Sequence, residues 1–263
     1  MTNDYWPTDF DYIFEVLVHF SKKSANELQF VSKKKLVVLS GAGVSAESGI
    51  ATFRGSGGFW EGYDIMKVAS PEGWAKDFKN VLNFYNARRR NIAGVKPNAA
   101  HIILAELEEW FDVEVITQNI DNLHEQAGSS KVIHLHGEIT KACSVERKNN
   151  VKDIGFQDIL PGQLCKDGHQ LRPFIVWFGE DVPLIPLAAD IVGTADIVLV
   201  IGTSLEVYPA AGLVNFTSDE VPIYMIDPES LADKLPLGKK VIHIREKATY
   251  GMKEFKRQME FLR

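Results

Sequence analysis

Short, continuous apolar runs punctuate this chain, separated by longer stretches in which apolar and polar positions mix. Leu36-Val37-Val38-Leu39 is the first. Its lack of alternation is the pattern of a strand buried on both faces, as in a parallel sheet covered by helices. Runs of this kind return at residues 113–116, 174–177, 197–201, 223–226 and 241–244. Between them, apolar residues at helical spacing predict helices over 71–90, 98–110, 185–193, 208–217 and 250–262. Strand and helix in alternation give an α/β fold with a mostly parallel sheet. Two stretches interrupt it: residues 55–95, opening with Gly55-Ser56-Gly57-Gly58 and then Phe59-Trp60, and residues 138–172, polar and rich in turn formers. Together they predict a second, smaller module beside the sheet, with a cleft between the two. Residues 1–34 carry Phe10, Phe14, Leu17 and Val18 at helical spacing, the mark of an amphipathic extension that covers the core.

The 263 residues are 45% hydrophobic and 24% charged, ordinary globular usage that excludes a disordered or collagen-like chain. No stretch approaches the roughly 18 consecutive apolar residues of a membrane helix. The N-terminus, Met1-Thr2-Asn3-Asp4, opens acidic rather than basic, so neither a membrane partner nor a signal peptide is expected. Lys and Arg number 29 against 35 Asp and Glu, a formal charge of -6, and the longest basic runs are Lys33-Lys34-Lys35 and Arg88-Arg89-Arg90. Broad binding to nucleic acid is therefore not expected. Cys143 and Cys165 are too few for a disulfide framework and fit a reducing, cytoplasmic compartment.

Three segments carry candidate chemistry. Gly41-Ala42-Gly43-Val44-Ser45-Ala46 leaves the first apolar run. Glycines there either let the backbone approach a pyrophosphate at a helix N-terminus or simply allow a tight strand-to-helix turn; Ala46 stands where a dinucleotide fingerprint has its third glycine. Thr117-Gln118-Asn119-Ile120-Asp121-Asn122-Leu123-His124 begins at the carboxyl end of the second run, where open parallel sheets bind ligands. Its Asn and Asp serve equally well as helix caps. His134-Leu135-His136-Gly137 puts a histidine at a strand-to-turn position. Such a histidine is either structural or, as a neutral imidazole beside a ribose, a general base near neutral pH.

Taken in order, and with Thr52-Phe53-Arg54, Arg172-Pro173, Phe178-Gly179-Glu180 and Gly202-Thr203-Ser204-Leu205, these segments resemble the sirtuin family of NAD-dependent protein deacylases. The resemblance runs from Leu36 to the C-terminal strands. It implies a Rossmann-like NAD-binding domain over residues 35–54, 96–137 and 173–263, with the small module in 55–95 and 138–172. It also implies NAD as co-substrate, with Gly41, Ala42, Gly43, Phe53 and Arg54 near the nicotinamide ribose and pyrophosphate. Gly202, Thr203 and Ser204 then lie on the phosphate and adenosine side, Asp227 at the adenosine ribose, and Gln118, Asn119 and Asp121 around the nicotinamide. An acyl-lysine protein substrate enters from the opposite mouth, its backbone pairing as an extra strand along Val176, Phe178, Gly179 and Glu180. In the family's chemistry the acyl oxygen displaces nicotinamide from the ribose, and His136 as general base then helps a ribose hydroxyl attack the result. Phe53 and a closing loop of Gly57, Gly58, Phe59 and Trp60 keep water out.

Two departures refine the expectation. Most of the family holds zinc with two C-x-x-C pairs, whereas Cys143-Ser144-Val145-Glu146 and Cys165-Lys166-Asp167-Gly168 keep one cysteine each. Glu146 and His169 are weak substitutes for a four-ligand site, and a zinc-free module is expected. Tyr85 and Arg88, at i and i+3, share one helical face. A phenol and a guanidinium converging there grip a carboxylate, and the Tyr-x-x-Arg pattern resembles the class III sirtuins, which remove succinyl, malonyl and glutaryl groups. Otherwise Arg88 is one of three solvated arginines. The expected reaction releases nicotinamide and O-acyl-ADP-ribose from succinyl-, malonyl- or acetyl-lysine. Its rival is ADP-ribosyl transfer to protein, or NAD hydrolysis, in the same pocket. A dehydrogenase is disfavoured because Gly62-Tyr63-Asp64, where its acidic residue would fall, lies in the insertion rather than after a second strand.

Overall fold

Six parallel strands form the main sheet of the computed structural model, which describes residues 32–52, 59–60, 62–229, 234 and 238–262. Residues 1–33 and 34–263 are separate units, and the sheet, the small module and the cavity all belong to the second. The amphipathic helix expected around Phe10 to Val18 lies outside the described residues. β1 (Lys35–Ser40) runs into a single helical turn, α1 (Gly43–Ala46). A short hairpin of β2 (Phe59–Trp60) and β3 (Tyr63–Asp64) comes next, then α2 (Ile65–Val68), α3 (Pro71–Ile92) and α4 (Ala99–Glu106). β4 (Asp112–Thr117), α5 (Leu123–Ala127) and β5 (Val132–His134) precede three antiparallel strands, β6 (Gly137–Ser144), β7 (Val151–Asp153) and β8 (Leu171–Ile175). After them come α6 (Ile185–Gly193), β9 (Ile197–Ile201), a 3-10 helix (Ala210–Phe216), β10 (Ile223–Ile226), β11 (Val241–Ile244) and α7 (Ala248–Met259).

The order across the main sheet is β11-β10-β9-β1-β4-β5, every neighbour parallel. Leu36 and Val38 of β1 pack with Leu104 and Leu107 and with Met252 and Phe255 of α7, whereas Val37 and Leu39 pack with Ala188 and Val192 of α6 and Leu213 of the 3-10 helix. Helices cover both faces, which is why the strand sequences do not alternate. The order reverses at β1: β4 lies on one side of it and β9 on the other. The crevice beyond the carboxyl ends of these three strands is the topological switch point of the sheet, the usual place for a ligand.

Three expectations need correction. The run at 174–177 is not in the parallel sheet, because Leu171–Ile175 pairs antiparallel with β6 in the three-stranded sheet β7-β6-β8. A continuous apolar run reports burial on two sides without saying in which sheet. The sixth parallel strand is instead β5, three residues long and ending in a histidine. The segment expected as a helix over 208–217 is a 3-10 helix.

The small sheet packs on α3, whose first turn is capped by Ser70, the hydroxyl accepting from Gly73 N at 3.0 Å. Leu82 of α3 meets Ala142, Ile159 and Leu171, while Phe84 and Tyr85 meet Ile139, Ile175 and Trp177. Each such large side chain fully buried contributes about 1.5–3 kcal/mol. Polar groups fix the register. Asn86 Nδ2 donates to Ile159 O and its Oδ1 accepts from Ile159 N, both at 2.9 Å, while Arg89 donates from Nε to Ile139 O at 2.8 Å. The run Arg88-Arg89-Arg90 is thus not a solvated face: Arg88 and Arg89 are buried, and Arg90 pairs with Asp158. Burial brings the Arg89 pKa down to about 10.

Candidate active site

Two glycine loops nest at the switch point. Gly43 N donates to Gly202 O at 2.8 Å, and Gly41 N to Ile201 O at 3.1 Å. A Cβ on Gly202, whose φ is +62°, would lie 2.3 Å from Val44 N, and one on Gly43 would lie 2.7 Å from Gly202 Cα. Both glycines are therefore required by the approach of one loop to the other, whatever they do for a ligand. α1 is one turn of four residues, so the full helix expected behind the loop is absent and the backbone of the nested loops takes its place. Gln118 Nε2 donates to Thr203 Oγ1 at 3.1 Å and ties the end of β4 to the end of β9.

The loop after β4 is held from behind by a polar layer whose contacts the sequence did not disclose. Ser45 Oγ donates to Asp121 Oδ2 at 3.1 Å and accepts from Asn119 Nδ2 at 3.2 Å, while Asn119 Nδ2 also donates to Gly41 O at 3.2 Å. Asp121 Oδ1 accepts from Leu123 N. It thus bonds the first N–H of the short α5 from the position before the N-cap, Asn122, which itself makes no side-chain cap bond, while its other oxygen meets Ser45. Burial raises its pKa, with the Leu123 and Ser45 hydrogen bonds opposing. Beneath them His101 and His124 meet edge to face at 4.9 Å between ring centroids. Burial lowers both, His101 to about 4, so they are neutral scaffolding, His124 bonded to Ser40 Oγ and His101 to Ser45 Oγ.

His136 is different because it lines the cavity. Its Nδ1 donates to Gln118 O at 3.0 Å, which fixes the tautomer and leaves Nε2 to take up a proton. Burial lowers its pKa, partly offset by the Gln118 carbonyl, so the ring is neutral at neutral pH as a base requires. The turn that follows cannot change: a Cβ on Gly137, at φ +79°, would stand 2.1 Å from Phe174 O.

Gly41, Ala42, Gly43, Gln118, Asn119, Asp121, His136, Gly202, Thr203 and Ser204 all line one cavity of about 530 Å³. Tyr85, Arg88, Val176, Phe178, Gly179 and Glu180 line it as well. Tyr85 is fully buried and accepts a hydrogen bond from Trp177 Nε1 at 3.2 Å. Burial pushes its phenol far up, opposed by that bond and by the nearby Arg88 and Arg172 cations, so it is a neutral hydroxyl.

Several groups on this wall are already engaged within the fold. The carboxylate of Glu180 accepts from both terminal nitrogens of Arg172 at 2.8 and 3.2 Å, from Trp177 N at 2.9 Å and from Lys148. It is a strut between β8 and the turn after it, and its pKa is pulled down by those partners against the effect of burial. Along the segment after Ile175, Val176 N donates to His136 O, Phe178 N to Ala69 O and Glu180 N to Trp177 O. A peptide laid along it would pair through other backbone groups of the segment than these three N–H groups.

Asp227 follows β10 but is not among the residues lining the cavity; its Oδ1 accepts from Glu229 N at 2.9 Å. Phe53, Arg54, Gly57 and Gly58, and the side chains of Phe59 and Trp60, lie outside the described residues. Cys143 is buried in β6 and Cys165 packs against the cluster around Leu82, and among the described residues no three His, Cys, Asp or Glu gather where a metal would sit. No helix among the described residues is long and apolar enough to cross a membrane.

The lining suits a dinucleotide: backbone, amide and hydroxyl groups converge at the switch point, and Ile50, Ile65 and Ile120 give an apolar end. Residues 41–209 match the Sir2 family. This chain belongs to it. The sirtuin is 51% identical over 229 residues to an NAD-dependent protein deacylase of Bacteroides thetaiotaomicron, covering 85% of this chain and 97% of that one. It is similar to the solved structure of a Sir2 homologue mutant in complex with ADP-ribose, at 39% identity and a TM-score of 0.78 over 88% of this chain and 93% of that one. It is also similar to a Sir2 homologue complexed with NAD, at 39% identity and a TM-score of 0.76 over 88% and 91%.

Proposed function

We propose that this sirtuin is an NAD-dependent protein-lysine deacylase whose pocket favours acyl groups ending in a carboxylate, succinyl and malonyl, and also accepts acetyl. NAD, when bound, supplies an anomeric carbon from which nicotinamide is displaced. The glycine loops at 41–43 and 202–204, with Gln118, hold its phosphoribose portion, and Asn119 and Asp121 orient the nicotinamide end. His136 takes a proton at Nε2. The neutral Tyr85 hydroxyl and the Arg88 guanidinium receive the distal carboxylate of the acyl chain.

The observation that carries the acidic-acyl preference is that Tyr85, Arg88 and His136 line one cavity, with the cation and the hydroxyl one helical turn apart on α3. A carboxylate placed there gains a charge-assisted hydrogen bond that an acetyl group cannot make. The same reading assigns residues 55–95 and 138–172 to a zinc-free module that carries this half of the pocket, and the protein to the cytoplasm. The test is mass spectrometry of matched acetyl-lysine and succinyl-lysine peptides incubated with the protein, with and without NAD. NAD-dependent loss of succinyl, with O-succinyl-ADP-ribose formed, is expected. Consumption of NAD to free or protein-bound ADP-ribose with both peptides untouched would replace the deacylase by a hydrolase or ADP-ribosyltransferase.

A further inference from the structure

His134 stands two residues before His136, and both rings reach the same loop. His136 Nδ1 donates to the Gln118 carbonyl at 3.0 Å, and His134 Nδ1 donates to the next carbonyl, that of Asn119, at 2.8 Å. Their second nitrogens have different surroundings. Nε2 of His136 is the one left for proton uptake at the cavity, whereas Nε2 of His134 lies 2.7 Å from Oε1 of Glu125 in α5. A carbonyl and a carboxylate both accept, so the His134 ring meets them with a proton on each nitrogen. We infer that His134 is a positioning residue, a buried cationic clamp tied to Glu125 that holds the Asn119 carbonyl and so aims this loop at the nicotinamide. The inference rests on the NAD-dependent deacylase reading.

The surroundings favour the cation. His134 is 8% exposed, and burial alone would lower its pKa, but the Glu125 carboxylate and the Asn119 carbonyl outweigh that and the pKa is raised. Glu125 is held below its ordinary value by the same ring against the effect of burial. Of the other groups that face the ring, Glu138 from β6, itself paired with Lys141, favours the cation, and the Asp121 carboxyl is near enough to feel it. His124 from α5 is neutral and does not oppose it.

The sign follows from the direction of the shift. A raised pKa means that the clamp is complete below the ordinary histidine value of 6.5 and is lost as the pH rises through the higher value of the folded protein. His136 works the other way, being active once deprotonated. Two histidines on one short stretch therefore bracket the working range, His136 setting the acid limb and His134 the alkaline one. Asn119 is the part at stake. Its Nδ2 is held by Gly41 O and Ser45 Oγ and its backbone N–H by Thr117 Oγ1, while His134 holds its backbone carbonyl.

The test compares pH profiles of kcat/KM for NAD, with an acetyl-lysine peptide, in wild type, Glu125→Gln and His134→Gln. Removing an opposite charge at hydrogen-bond distance moves a pKa by about 1–3 units. Glu125→Gln is thus expected to bring the alkaline limb down by about that much and leave the acid limb in place. His134→Gln is expected to lose on the order of tenfold in kcat/KM for NAD and to lose the alkaline limb. Affinity for ADP-ribose, which has no nicotinamide, should stay unchanged by calorimetry in both variants. An alkaline limb indifferent to Glu125→Gln, or ADP-ribose affinity that falls in parallel with kcat/KM, overturns the clamp. Wild-type protein that deacylates neither acetyl nor succinyl peptide overturns the deacylase reading instead. In that case NMR titration of the His134 ring still decides the clamp: a wild-type pKa at or below 6.5 overturns it.

Discussion

One wall of the cavity is largely backbone and the other is side chain. The wall at the switch point consists of two glycine loops and the turn after β4, held by backbone bonds between the loops and by the side-chain amides of Gln118 and Asn119. The opposite wall is built from α3 and from residues 175–180, and a buried ion pair sets its shape. Arg172 and Glu180, with side chains 4% and 8% exposed, hold each other, and the guanidinium also lies 3.3 Å from the centre of the Trp177 ring. On the proposed function the contrast gives the walls two jobs. The two glycine loops of the first wall hold each other through backbone hydrogen bonds, which suits a ligand that stays the same. The side-chain wall, braced by the Arg172–Glu180 pair, is where the proposed acyl specificity would change residue by residue.

The largest expected effect strikes the fixed wall. His136→Ala should lower deacylation by about 10²–10⁴-fold, the usual contribution of a general base, while calorimetry finds NAD binding largely intact. The side chain makes a single hydrogen bond to a carbonyl of the loop, so its loss leaves the glycine loops in place. Turnover of labelled NAD and acyl peptide at the wild-type rate would take the base away from His136, and with it the division of the cavity into two jobs.

The two walls also differ in what the sequence disclosed. The backbone wall comes from contiguous motifs at the ends of apolar strands, so residues 41–43 and 118–121 stood out by pattern and position, and residues 202–204 by the resemblance to the family. The polar layer beneath it did not. Ser45, His124 and His134 lie inside the quoted motifs and His101 outside them, and nothing in their spacing says which carbonyl or hydroxyl each one holds. On the side-chain wall Tyr85 and Arg88 were visible as a helical pair, but Arg89 looked like a surface charge in a basic run although it is fully buried. Glu180, which the resemblance places along the substrate, lines the cavity, but its pairing with Arg172 was not visible in the sequence. The strand runs were readable wherever both faces are covered by helices. β5 was not, because three residues with a histidine among them give no periodicity.

A second substitution separates the walls by substrate. Arg88→Met keeps most of the apolar stem and removes the charge, so it should cost succinyl turnover about 2–3 kcal/mol relative to acetyl turnover, the value of a charged hydrogen bond. The difference between matched peptides is the quantity to read, since it cancels any general loss of fold. Equal losses on both peptides would mean that Arg88 supports α3 rather than the acyl group, and that both walls serve constant parts of the reaction.

The smallest expected effect is none at all, and it concerns how the side-chain wall is held. A structural zinc supplies on the order of 10–16 kcal/mol of folding energy, so a module built on one collapses when the metal is removed. Here other groups already close the turns where ligands would stand: Ser144 Oγ accepts from the N–H groups of Glu146 and Arg147, and Asp167 Oδ1 accepts from His169 N. The Asn86 and Arg89 hydrogen bonds and the Arg172–Glu180 pair remain to fix β6 and β8 on α3 and against the following turn, and none of them needs a metal. Prolonged dialysis against a chelator should therefore leave the melting temperature and the ratio of succinyl to acetyl turnover where they were. A large fall in melting temperature, with zinc recovered in the dialysate, would mean that the acyl wall rests on a metal after all, and the ion pair would lose its place as the strut.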